Sequence, residues 1–188
     1  MSGSLYIYPR NHRTTPPSVV SLTRILRQSG FIGDAIGDNT YLSGSEFLKY
    51  ITFAGCSPQL TFTPPKDGTD DFCHVAVHGP YRKPRMITGP HTQRPRCPHC
   101  SHRISDWHVL EAAWRSSGAA ARFNCPTCTT ENAVEHWRWR RYALFGRLMI
   151  AVRSVFPNEG VPNDAFLRLL CDNTDIEWDY GWAATIED

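Results

Sequence analysis

Two short cysteine pairs, Cys97-Pro98-His99-Cys100 and Cys125-Pro126-Thr127-Cys128, separated by 24 residues, constrain this chain more than any other feature. Two residues between cysteines let both thiolates turn toward one point. Two such turns supply the four sulfurs of a tetrahedral Zn²⁺ site, so Cys97, Cys100, Cys125 and Cys128 are the expected ligands of one ion. Four thiolates fill the coordination sphere and leave no open position for a water, so the expected role of the ion is structural. Disulfides are the competing use of four cysteines, but the N-terminus lacks a charged segment followed by an apolar run, and a secretory route is not expected. A redox dithiol needs one such pair; two copies, each with proline after its first cysteine, favour metal. His99, His102, His108 and His136 lie near the knuckles as substitute ligands, which four cysteines make unnecessary.

With this spacing, residues 94 to 139 resemble a zinc ribbon. The resemblance implies two short hairpins held by one ion, in modules that usually bind nucleic acid or protein. It does not extend to the rest of the chain.

Charge is distributed unevenly about this module. The 188 residues carry a net charge of only +2. Residues 81–153, however, hold thirteen Lys and Arg, twelve of them Arg, against Asp106, Glu111, Glu131 and Glu135, while the remainder has seven bases and fourteen acids. Arginine suits planar, two-pronged contact with phosphate or carboxylate. In the stretch Val134–Tyr142, Trp137 and Trp139 alternate with Arg138 and Arg140, followed by Arg141. If extended, this segment puts tryptophans on one face and arginines on the other. The tryptophans then either cover the metal core or join the arginines and Tyr142 in a nucleic-acid surface.

Outside the module the periodicities predict an α+β fold. Leu5–Tyr8 reads as a strand, and Pro16 and Pro17 introduce an amphipathic helix through Val19, Leu22, Ile25 and Leu26, stopped at Gly30. Residues 31–36 form a further strand, 38–45 a turn, 46–51 a short helix, 60–63 a strand, and Phe72–His78 another with Cys73, Val75 and Val77 on one face. Four prolines between Gly79 and Arg96 make a connector. Asp106–Trp114 is a helix inside the module. Leu148–Phe156 is an apolar strand, Pro162 opens a helix with Phe166, Leu169 and Leu170 on one face, and a last strand alternates Ile176, Trp178, Tyr180 and Trp182 with Asp175, Glu177 and Asp179. Strand, helix and strand thus occur on both sides of the module. The expected architecture is α+β, with ferredoxin-like βαβ units bracketing an inserted four-cysteine zinc ribbon. Its divisions are an N-terminal α/β part (1–93), the inserted ribbon (94–142) and a C-terminal βαβ part (143–188) that packs on the first.

The function expected from these features is a zinc-containing, non-enzymatic binding module. Its arginine-rich ribbon, with Arg138, Arg140, Arg141, Trp137 and Trp139 as ligand surface, would contact an acidic partner: nucleic acid first, or a protein surface in a larger complex. An enzyme is the alternative, using Cys56 beside Ser57, or Cys73 with His74, Asp70, Asp71 and His78. Neighbours on a strand face opposite sides, so Cys73 and His74 do not make a nucleophile and base. No glycine-rich phosphate loop, G-x-S-x-G or His-Glu-x-x-His motif is present. The chain has no apolar run of about 18 residues, and with Cys56, Cys73 and Cys171 read as reduced thiols, a cytoplasmic location is expected.

Overall fold

The computed structural model describes residues 3–53, 60–69, 71–155 and 158–186. In chain order its strands are β1 (Gly3–Pro9), β2 (Ile32–Gly37), β3 (Thr40–Ser43), β4 (Ile51–Phe53), β5 (His74–His78), β6 (Arg85–Ile87), β7 (Arg122–Asn124), β8 (Glu131–Ala133), β9 (Leu144–Gly146), β10 (Met149–Val152), β11 (Gly160–Pro162) and β12 (Trp178–Ala184). Its helices are α1 (Val19–Gln28), α2 (Phe47–Tyr50), α3 (His108–Ser117) and α4 (Asp164–Thr174).

Six strands make one antiparallel sheet in the order β12-β1-β10-β5-β3-β2. Because β1 pairs antiparallel with both β10 and β12, those two strands run parallel to each other on either side of it. Helix α4 connects them. On the N-terminal side, β1 and β2 are separated by β10, β5 and β3, so the strand after α1 lies at the far edge, not beside the first.

Period-two alternation divides each central strand between two cores. Leu5, Ile7, Val75, Val77, Ile150, Val152, Trp178 and Trp182 face the larger core, into which α1 places Leu22, Ile25 and Leu26 and α4 places Phe166 and Leu170. Each such buried side chain contributes about 1.5–3 kcal/mol relative to exposure. Both helices start at a side-chain cap: Ser18 Oγ accepts from Ser21 N at 3.1 Å, and Asn163 Oδ1 accepts from Phe166 N at 3.0 Å. Pro16, Pro17 and Pro162 therefore lie just outside the helices they were expected to open. Tyr6, Ala76, Met149, Ala151 and Ala183 face the opposite side.

That opposite side is covered by the two-stranded ribbon β6-β9, whose residues also alternate. Ile87 and Leu144 point into the sheet, whereas Met86 and Phe145 point away from it, into a third core formed by the cysteine module. The module contains the hairpin β7-β8 and helix α3, with Leu110 and Trp114 buried.

Three local expectations are corrected. Residues 38–45 are not all turn: Asp38 and Asn39 make the turn, with Asn39 at φ 52, and Thr40–Ser43 is a strand pairing with β2 and β5. Residues 60–63 form no strand; their tie to the sheet is Thr61 O, which accepts from Cys73 N at 2.7 Å. Val134–Tyr142 is not one strand either. It begins as a 3₁₀ turn over Val134–His136 and then meets the chain before the first knuckle through Arg138 N to Arg96 O at 2.9 Å. Cys56, Ser57 and Asp70 lie outside the described residues.

Candidate metal centre and adjoining basic face

The two knuckles repeat one backbone design. In each, the first cysteine's N–H bonds to the carbonyl five residues on, Cys97 to His102 at 2.9 Å and Cys125 to Thr130 at 3.0 Å. Its carbonyl accepts from the N–H four residues on, Ser101 at 3.0 Å and Thr129 at 2.9 Å. Ser101 and Thr129 take the left-handed backbone, φ 60 and 58, that turns the chain back. This geometry brings the four sulfurs within 4.8 Å of one another. Cys97 Sγ is 3.7 Å from Cys128 Sγ and Cys100 Sγ 3.6 Å from Cys125 Sγ. A tetrahedron with metal–sulfur bonds of about 2.3 Å has edges of about 3.8 Å, so the four residues fit a metal ion.

Electrostatics favour the same occupant. The hydroxyl and backbone of Thr130 stabilise the Cys128 thiolate and bring that group down to about 6. At Cys100 the backbone N–H of His102 also favours the thiolate, but desolvation and the neighbouring sulfurs outweigh it and push the group up to about 12. The first negative charge in the cluster thus resists the next, a repulsion that a divalent cation relieves. His99 is exposed, and among the described residues no histidine joins the cluster.

Trp137 and Trp139 are 2% and 4% exposed and belong to the module's core. Trp139 Nε1 donates to Val134 O at 2.9 Å, and Phe123 packs edge-on against Trp137. Their burial accords with the first of the two roles open to them in the sequence, covering the core of the module. The arginines divide by role. Arg138 reaches back to the first knuckle, donating to Pro98 O at 2.8 Å and Ser101 Oγ at 3.3 Å. Arg141 pairs with Asp179 at 2.9 Å and lies over the Tyr180 ring at 3.7 Å. Arg140 is exposed and makes no hydrogen bond or ion pair with a described residue.

Arg140 and Arg141 occupy the two central positions of a tight turn closed by Tyr142 N to Trp139 O at 3.1 Å. Both have positive φ, 53 and 68, the conformation that Asn-Gly adopts at least cost. The turn is fixed to β12, where Trp182 N donates to Arg141 O at 2.8 Å.

Beside this turn lies a cavity of about 490 Å³ between the end of β1 and the module. A buried pair that sequence patterns did not disclose, His12 Nε2 hydrogen-bonded to Glu135 Oε2, lies at its wall. His12 also meets the edge of Trp114, 6.2 Å between centroids. The two residues are 123 positions apart, so no local spacing could have signalled them.

The Cys73–His74 pair is not brought together as a reactive centre. Cys73 lies in the larger core, where burial pushes its thiol up to about 12, while His74 Nδ1 bonds to Phe72 O at 2.9 Å.

Searches against protein-family models, curated proteins and solved structures find no match to this chain. Among the described residues, no helix is long and apolar enough to cross a membrane.

Proposed function

We propose that this protein is a non-enzymatic binding module in which a structural zinc ion, held by Cys97, Cys100, Cys125 and Cys128, orients an arginine-bearing face toward nucleic acid. The observation that carries this reading is the Arg140–Arg141 turn. Two adjacent arginines occupy left-handed backbone at a cost of about 1–2 kcal/mol each, and strain of this kind is concentrated where a side chain must be presented. The surrounding charge agrees: ten of the thirteen bases in residues 81–153 are exposed, against two of the four acids. Around the turn, Arg138 and Arg141 are tethered and Arg140 is free to reach a phosphate.

The same reading takes residues 94–142 as the inserted zinc ribbon, set between the 1–93 and 143–188 parts of one ferredoxin-like frame. The adjacent strands β12-β1-β10-β5, with α1 and α4 on one face, support that frame, and the β2-β3 hairpin extends its edge. Reduced Cys73 and Cys171 accord with a cytoplasmic setting.

Arg140 provides the test. In fluorescence titrations with single-stranded nucleic acid, Arg140→Glu should weaken binding at least about tenfold and reduce the log–log salt slope by about one. Metal content and melting temperature should remain unchanged, because the residue is exposed. Arg140→Gly should also weaken binding while raising stability by about 1 kcal/mol, since it relieves the left-handed strain. Unaltered affinity and salt slope in both variants would sink the proposal.

A further inference from the structure

Of the charged side chains around the cavity at the junction of β1 and the module, Arg140 alone has no ion-pair partner among the described residues. Glu135 is met by three basic side chains: besides His12, Arg13 Nη2 lies 3.6 Å and His136 Nε2 3.7 Å from its Oε1. Asp179, the other lining carboxylate, is engaged by Arg141 at 2.9 Å. Neither acid is left to repel an anion. Four arginines, Arg10, Arg13, Arg140 and Arg141, line the same space against the two carboxylates, and Arg10 is also paired with Glu177 just outside it at 2.9 Å.

His12 is 8% exposed, and its orientation is fixed twice. A carboxylate only accepts hydrogen bonds, so the bond to Glu135 places a proton on Nε2. The edge of Trp114 supports the ring from the module side. Nδ1 has no hydrogen-bond partner among the described residues, and His12 is one of the residues that line the cavity. A buried imidazole held at one nitrogen, with the other unused beside a cationic space, is built to meet an oxygen of a ligand. The bond forms with the proton on Nδ1 or on the ligand's oxygen.

Resting on the nucleic-acid reading of the arginine face, we infer that this cavity takes a terminal phosphate monoester, with His12 Nδ1 bonded to one of its oxygens and Arg10, Arg13 and Arg140 around the others. A monoester carries up to two charges and three terminal oxygens, so it engages several arginines at once better than an internal phosphodiester, which carries one charge. At about 490 Å³ the cavity is in the size range of small-ligand sites and admits a nucleotide. Arg140 belongs both to the strained turn and to this lining, so the cavity lies where a strand crossing the arginine face would end. The monoester belongs either to a strand end or to a free nucleotide.

The test uses the full-length, metal-loaded protein and three probes: a short single-stranded oligonucleotide with a 5′-phosphate, the same strand with a 5′-hydroxyl, and a nucleoside monophosphate as competitor. The phosphorylated strand should bind about tenfold or more tightly than the hydroxyl strand. His12→Asn and Glu135→Gln should each abolish that preference while binding the hydroxyl strand as wild type does. Each variant is checked for metal content and melting temperature, and Arg13→Ala, at an exposed side chain, repeats the test if the buried substitutions unfold the protein. Competition by the mononucleotide alone, with no strand binding, would retain the cavity as a nucleotide site and discard the nucleic-acid reading. Equal binding of both strands, with no effect of the mononucleotide, would overturn the cavity proposal and leave that reading intact. If no probe binds, both fall.

Discussion

Ser101 and Thr129, the residues that follow each second cysteine, occupy left-handed backbone at φ 60 and 58, a region that costs an L-residue about 1–2 kcal/mol. Their conformation is what points paired sulfurs at one centre, so a bound ion offsets strain as well as the mutual repulsion of thiolates. A structural zinc in finger peptides contributes an apparent ~10–16 kcal/mol at neutral pH, against a whole-domain stability of about 5–15 kcal/mol. Cys125→Ser should therefore remove the ion and melt the module. Metal analysis and near-ultraviolet circular dichroism check it; a variant that retained one ion per chain and the wild-type spectrum would refute the four-cysteine assignment. At this scale the sequence was legible where chemistry is local. The cysteines lie two residues apart and declare themselves, and the Trp137/Trp139 alternation correctly separated buried from exposed side chains. What alternation cannot tell is whether the buried face is wide enough to leave a ring for stacking, and here it is not. His12 and Glu135 meet only through the tertiary fold.

Elements with a strong apolar period were readable: β1, α1, β5, α4 and β12 lie where their patterns placed them, within a few residues at the ends. Those misread were of two kinds: residues 38–45, where turn residues hide a short strand, and residues 60–63 and 134–142, where alternation marks no continuous strand. Strand β3 has four residues amid Asp, Asn, Gly and Ser, and its pairing with β5 comes from Tyr41 entering the larger core, a long-range effect that outweighs local propensity. The turn at Arg140–Arg141 was equally hidden, because arginine carries no turn signal. Its position depends on a glycine in the neighbouring strand. A Cβ at Gly181 would lie 2.6 Å from Arg141 O and 2.6 Å from Leu144 Cδ2, contacts that neither the backbone carbonyl nor the buried leucine can relieve in place. Gly181→Ala should push the turn off β12, lowering stability by about 1–3 kcal/mol, as overpacking does. It should also break the Arg141–Asp179 pair. Thermal melts and nucleic-acid titration together check this; a variant with wild-type melting temperature and affinity would show that the turn does not need its seat on β12.

For the whole molecule, layering decides how the metal centre is coupled to the sheet. The β6-β9 ribbon shares its side chains between them, Ile87 and Leu144 on the sheet and Met86 and Phe145 in the module. His12 and Arg141 add polar links to Glu135 and Asp179. The sheet's other face is covered independently by α1 and α4, with Phe31 stacked on Phe166 at 4.2 Å. The larger core thus contains no residue of the knuckles, whereas the smaller module core includes Cys97 and Cys125 themselves. Stability should accordingly be uneven across the chain. On chelation, hydrogen exchange should accelerate first in β7, β8 and α3, and in the Arg140–Arg141 turn that the module supports. Amides of β1, β5 and β10 should keep their protection behind the helices. On the proposed reading, nucleic-acid binding should disappear in the same step, because the turn and the His12–Glu135 cavity both need the module docked. Uniform loss of protection throughout the sheet at the first removal of metal would show instead that sheet and module fold as one cooperative unit, with the ion holding both.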